Sequence, residues 1–184
     1  DDPNGAAPGD QLNILAGGQS VTYNVGPQTD EGSFAVGANQ PVSFDHIESF
    51  GITGNGPATI NGTNGPDAIT VIARDNSTHA GTDGVRDFTV SVNTGPELLF
   101  VDVSLLTVNG LSGSDQITLQ TPAPNNAVWD VDVSVNGGPP AADTDRLSVQ
   151  TPVAGVETVV YTPTAADGGT LNLTSLSSLI TLTT

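Results

Sequence analysis

"TINGTNGPDAITV" (59–71) and "TVNGLSGSDQITL" (107–119) say the same thing twice, with every shared residue 48 positions apart. Aligned without gaps over 58–72 and 106–120, the two stretches share seven of fifteen residues: Thr59/Thr107, Asn61/Asn109, Gly62/Gly110, Gly65/Gly113, Asp67/Asp115, Ile69/Ile117 and Thr70/Thr118. A third copy, "NGAAPGDQLNI", keeps the skeleton through Asn4, Gly5, Asp10 and Leu12. A fourth, "VNGGPPAADTDRLSV", keeps Asn136, Gly137, Asp145 and Leu147 with three extra residues in its turn. The aspartates are spaced 57, 48 and 30 residues apart, so one unit recurs with loops of different length inserted into it.

The unit has a mechanical meaning. A short strand ends at Ile60 or Val108, and Asn-Gly is expected to supply positive φ for a sharp turn. A second Gly turns the chain again. The Asp side chain then satisfies backbone N–H groups before the next alternating strand begins. Strand, turn, strand in one sense of winding predicts an all-β fold, an irregular β-solenoid of the β-helix or β-roll kind. Two further stretches fit. "FDHIESFGITG" (44–54) echoes "FVDVSLLTVNG" (100–110), and both are read as one long strand running into a turn. "WDVDVSVNG" sets Trp129, Val131, Val133 and Val135 on one face and Asp130, Asp132 and Ser134 on the other, the period of a half-buried strand. Alternating strands every ten or so residues also suit a pilin-like β-sandwich, the alternative architecture.

Composition agrees and excludes several functions. The 184 residues suffice for a single domain, 1–184, with a core built mostly from Val, Leu and Ile. Twenty acids face three arginines, a formal net charge of −17. With no basic patch there is nothing to neutralise phosphates, and nucleic acid is excluded as a partner. An anionic membrane surface would repel the chain, and no apolar run is long enough to insert. Cys is absent, which removes disulfides, thiolate metal sites and cysteine nucleophiles.

The two ends look like the halves of one repeat. The N-terminal copy has its turn without the preceding strand, and the C-terminal "SLSSLITLTT" is a strand with no turn after it. A solenoid needs polar caps, and neither end shows one. The expectation is an open, uncapped repeat at both ends. The C-terminal strand (Leu176, Leu179, Ile180, Leu182) would meet the N-terminal turn of the next copy. Such a contact is heterologous, does not close, and generates filaments by strand addition.

At "GTNGPDAIT" (62–70) and "GLSGSDQIT" (110–118) the chain resembles the nonapeptide G-G-x-G-x-D-x-U-x of hemolysin-type (RTX-like) repeats. Gly62, Gly65, Asp67 and Ile69 match in one copy and Gly110, Gly113, Asp115 and Ile117 in the other, while Thr63 and Leu111 replace the second glycine. The wider cadence is similar to irregular repeats of large secreted bacterial surface proteins. The resemblance implies an extracellular, cell-surface location and Ca²⁺ held between turns, with Asp67 and Asp115 as ligands. That family stacks its nonapeptides back to back, whereas these copies are separated. An Asp-capped turn without metal is the competing reading, and no cofactor is required.

Enzymatic chemistry finds no footing. His46 and His79 have no metal-ligand spacing, and the three arginines are scattered. Asp130 and Asp132 on one strand face read as a solvated acidic face rather than a carboxylate pair. Asn61, Asn76 and Asn172 head N-x-[ST] sequons, weak signs of a glycosylated surface protein. The function expected is a structural, self-assembling extracellular protein forming a filament or surface layer from copies of itself, head to tail. The alternative is an adhesin or carbohydrate-binding module of a larger surface protein, taking surface polysaccharide on Trp129, Tyr23 or Tyr161.

Overall fold

The structure, a computed structural model, describes residues 9–54, 56–74, 86–121, 129–139, 144–151, 158–163, 168–173 and 180–183. Asn4, Gly5, Asn76, His79, Leu176 and Leu179 lie outside them. Among the described residues the fold is all-β, with sixteen strands in two mixed sheets and no helix.

The first sheet runs β1 (Gln11–Leu15), β5 (Ser49–Thr53), β9 (Leu98–Val101), β8 (Asp87–Val92), β7 (Ala68–Arg74), β11 (Gln116–Gln120), β13 (Arg146–Gln150). The second runs β14 (Val159–Pro163), β15 (Gly169–Leu173), β16 (Ile180–Thr183), β12 (Asp132–Asn136), β10 (Leu105–Asn109), β6 (Ala58–Asn61), β2 (Val21–Val25), β3 (Glu31–Val36), β4 (Val42–Asp45). The chain crosses between sheets at each repeat turn, from β6 to β7, β10 to β11 and β12 to β13. Five strands of the second sheet, β2, β6, β10, β12 and β16, stack in parallel in chain order.

Register explains why the repeats are alike. Ile60 stands beside Val108 and Tyr23, and Val108 beside Val135, one inward column of apolar side chains. Ile69, Ile117 and Leu147 make a second column in the other sheet. The stacked strands β6, β7, β10, β11 and β12 present alternate residues to the interior, and parallel in-register pairing puts equivalent residues of successive copies on top of each other. Trp129, Val131, Val133 and Val135 are buried, as their period predicts.

Aromatic residues gather at two places. Tyr23, Phe34, Phe44 and Phe50 form a continuous cluster, with ring centroids 4.7 Å apart for Phe44–Phe50 and 5.1 Å for Tyr23–Phe34. Phe88, Phe100 and Trp129 form the other, Trp129 edge-on to Phe88 at 5.8 Å. Burial in the first cluster pushes the Tyr23 hydroxyl from 10.0 up to about 12. In the unfolded chain the phenol ionises near pH 10, in the folded one near 12. The stability this protects is therefore complete below pH 10 and lost as pH rises through 12. Urea titrations across that window should show a fall of roughly 2–3 kcal/mol that Tyr23→Phe removes. An equal fall in the variant would refute the assignment.

Three expectations are corrected. The stretches 44–54 and 100–110 are not single long strands. Each breaks in two, at His46 and at Asp102, both with φ of 56°. A non-glycine residue in that region cannot continue a strand. The C-terminal strand is not a loose edge: β16 is held between β12 and β15. Ile180 is buried on its inner face and Leu182 packs against the core. Its apolar side chains complete the parallel stack within the chain. Nor are the ends of the second sheet bare repeats, since antiparallel strands extend both, β3–β4 at one and β15–β14 at the other.

Candidate functional site: the stacked repeat turns

The predicted turn residues come together as three ladders. The first is asparagine. Asn61 donates its amide to Asn24 Oδ1 at 2.8 Å and accepts from the Asn109 amide at 2.8 Å. Asn136 is next in register. An amide that donates on one side and accepts on the other can be repeated indefinitely in a parallel stack, which is what the strand ends require of this position. The Asn61 sequon is thereby committed to the ladder, whereas Asn172 is exposed.

The second ladder is glycine. Gly62 N–H donates to Asn109 O at 2.9 Å, and Gly110 N–H to Asn136 O at 2.8 Å. The expected reason for glycine is overturned here. None of Gly62, Gly65, Gly110 and Gly137 has positive φ. The requirement is space: a Cβ on Gly62 would stand 2.6 Å from Asp67 Oδ2 and 2.9 Å from Gly110 O. The same collision occurs at Gly110 against Asp115 and Gly137 O, and at Gly137 against Asp145. The left-handed residues of the second turn are Leu111 (φ 74°) and Gly113 (φ 132°), and Gly113 lies directly on the Gly65–Pro66 backbone. Leu111 thus takes the left-handed conformation without being the residue that adopts it freely.

Carboxylates form the third. Asp67 N–H donates to Asp115 Oδ1 at 2.9 Å, and Asp115 N–H donates to Asp145 Oδ1 at 2.9 Å. Each repeat aspartate thus caps the backbone of the aspartate before it, across 48 and 30 residues. Asp67 and Asp115 are buried, at 3% and 0% exposure, because they close the turn from inside. The Asp67 carboxylate also accepts from Thr63 N–H at 2.6 Å, from the Thr63 hydroxyl at 3.1 Å and from the Asn93 amide at 2.9 Å. Thr63, in place of the second glycine, is therefore part of the cap. A carboxylate held by three protein donors has the chemistry of a turn cap, and a cation there would have to displace them. Among the described residues, no group of three or more His, Cys, Asp or Glu side chains is placed to hold a metal ion.

Asp10 joins a different stack. Its N–H donates to Glu48 Oε2 at 2.8 Å, and β1 pairs with β5 rather than with β7, β11 or β13. The geometry is that of the aspartate ladder with Glu48 standing in. Sequence reasoning missed Glu48, Asn24 and Asn93. Asn24 had a signal, an alternating strand ending in Asn-Val-Gly, masked by the β3–β4 insertion before its stacking partner Asn61.

Other charged side chains pair across the fold. Arg86 pairs with Asp130 at 3.2 Å, and Arg74 pairs with Glu97. His46 lies against Asp45 at 2.6 Å. Trp129 and Tyr23 are in the core, while Tyr161 is half exposed. An apolar cleft of about 270 Å³ opens between β1 (Leu12, Ile14) and β3–β4 (Phe34, Val36, Val42). Comparison with family models, with curated proteins and with solved structures finds no match.

Proposed function

We propose that this is a structural protein: an extracellular two-sheet solenoid whose copies add end to end, through the edges of the first sheet rather than through β16. The observation that carries the reading is the polarity of the carboxylate ladder. In both carboxylate stacks of the first sheet, Asp10–Glu48 and Asp67–Asp115–Asp145, the backbone N–H points to the carboxylate that comes later in the chain. Among the described residues the first sheet therefore has an acceptor at one edge, the exposed Asp10 carboxylate before β1, and a donor at the other, the Asp145 N–H before β13. Both edges begin with the same Asp-x-Leu unit. Arg146, exposed at the β13 edge, would face Asp10 and Glu48 of the next copy, a favourable charge contact between chains that otherwise repel. A parallel β13–β1 joint would set Arg146 beside Gln11 and Ser148 beside Asn13.

The adhesin or glycan-binding reading is the alternative. Such sites use exposed aromatic platforms, and burial of Trp129 and Tyr23 favours the structural reading over it. Calcium is not needed for the turn caps as they stand.

Because the chain has no cysteine, Asn13→Cys/Ser148→Cys gives a clean test. Negative-stain microscopy of the full chain should show filaments, favoured as ionic strength rises from about 0.01 to about 0.15 M because screening weakens the mutual repulsion. Mild oxidation of the double variant should give a covalent ladder of oligomers, and either single variant should stop at dimers. Filaments without the covalent ladder would overturn the joint and leave self-assembly standing. Monomers at all concentrations and salts would overturn both.

A further inference from the structure

The outward face of the second sheet carries a column of hydroxyls that the turn ladders do not use. Register places Thr22 beside Thr59, Thr59 beside Thr107 and Thr107 beside Ser134. It continues through Thr181, Thr170 and Thr162, so seven adjacent strands contribute one hydroxyl each. Thr22, Thr59, Thr107, Ser134 and Thr181 lie on the solvent side, because their chain neighbours Val21, Ala58, Ile60, Leu106, Val108, Val133 and Ile180 are buried. Thr170 alternates with the core-facing Leu171, and Thr162 is its partner in register. Two residues along four of these strands, the Asn24–Asn61–Asn109–Asn136 column runs beside it.

Like any sheet, this face repeats at about 4.8 Å between strands and about 6.6 Å between columns. Two properties distinguish it from an ordinary polar sheet surface. Neither column contains an ionisable residue, in a chain whose net charge is −17. And whereas the Asn24, Asn61 and Asn109 amides are engaged with each other, no hydroxyl of the threonine column bonds another protein group among the described residues. Threonine is stiff at χ1, so each hydroxyl and methyl is held in place rather than averaged over rotamers.

We propose that this face binds ice. An array of uncharged hydroxyls held in fixed columns, repeating in two directions, orders its first water layer in a pattern that a growing crystal can adopt. Asp132, two residues before Ser134 on the same face, lies at the margin of the array, and the two columns themselves offer a charged partner nothing to pair with. A soluble sugar would need aromatic stacking, which the array does not contain. The inference does not depend on the end-to-end assembly proposed above. Assembly would only lengthen the array.

The test is thermal hysteresis and inhibition of ice recrystallisation by the full chain. The wild type should shape and arrest ice crystals. Thr59→Tyr/Thr107→Tyr, which places two rings in the middle of the column at positions that favour strand, should lose that activity while keeping the buried emission of Trp129. Gln116→Tyr, exposed on the other sheet, should keep it. Absence of activity in a folded wild type overturns the proposal. So does activity that survives the double substitution, or that Gln116→Tyr removes equally. Retention on crystalline polysaccharide without any effect on ice would assign the face to a glycan surface and overturn it as well.

Discussion

Replacing Gly110 by Ala is expected to destabilise the fold by about 3 kcal/mol, far more than the usual cost of a surface Gly→Ala change. The new methyl would stand 2.7 Å from Gly137 O and nearer still to the Asp115 carboxylate, with backbone on one side and a fully buried side chain on the other. Neither can move without breaking the hydrogen bonds that join three repeats. Asp115→Ala acts on the same turn from the opposite side. It removes the acceptor of the Asp67 N–H and should cost roughly 1–3 kcal/mol, the range for stranding a buried donor. In the double variant part of the collision disappears with the carboxylate, while the one with Gly137 O remains. The two losses should therefore add to less than their sum by about 1 kcal/mol or more. Urea denaturation of the four proteins measures this as shifts in midpoint at constant slope. Strict additivity would mean that glycine is not there to admit the carboxylate.

Trp129→Ala should cost roughly 3–5 kcal/mol. The indole is fully buried, meets Phe88 edge-on at 5.8 Å, and donates Nε1–H to Asp87 O at 3.0 Å. Trp129→Phe keeps a ring against Phe88 and gives up the hydrogen bond, so its loss should be smaller, about 1–3 kcal/mol. Because the chain has one tryptophan, these two variants are followed by circular dichroism and the wild type by emission as well. A cost under about 1 kcal/mol for Trp129→Ala would place the indole outside the cooperative core. It would favour the glycan-binding alternative, in which an aromatic side chain is kept for a ligand.

Some of this was legible residue by residue. Val131, Val133 and Val135 are buried because a strand alternates its faces whatever its neighbours are, and the β12 pattern states that alternation outright. The seven identities between the two main copies marked the columns correctly. In a parallel in-register stack, each position meets its own counterpart, and like residues suit the same environment. The aspartate as a turn cap was also legible, though not its direction. The carboxylate serves the backbone of a turn 48 residues earlier, a contact that no local rule encodes.

Other features were not legible. Positive φ was assigned to Asn-Gly by its usual role in turns, but here the glycine makes room for a neighbouring repeat, and the left-handed residue is Leu111. The C-terminal strand looked unpartnered because its partners, β12 and β15, are distant or antiparallel, and hydropathy carries no record of either. Asn24 and Glu48 went unnoticed because insertions shift them out of any fixed period.

The sequence by itself determined that this chain is all-β, that its strands recur around an Asn-Gly turn closed by aspartate, and which side of the 129–135 stretch faces inward. These follow from short-range chemistry: side-chain alternation, turn propensity and the sterics of glycine. Only the tertiary structure decided that β7, β8 and β9 fold back into one sheet, that β16 is internal, and that seven hydroxyls fall into line. Strand order and register depend on pairings between residues tens of positions apart. Their free energy belongs to the pair and is written in neither segment alone.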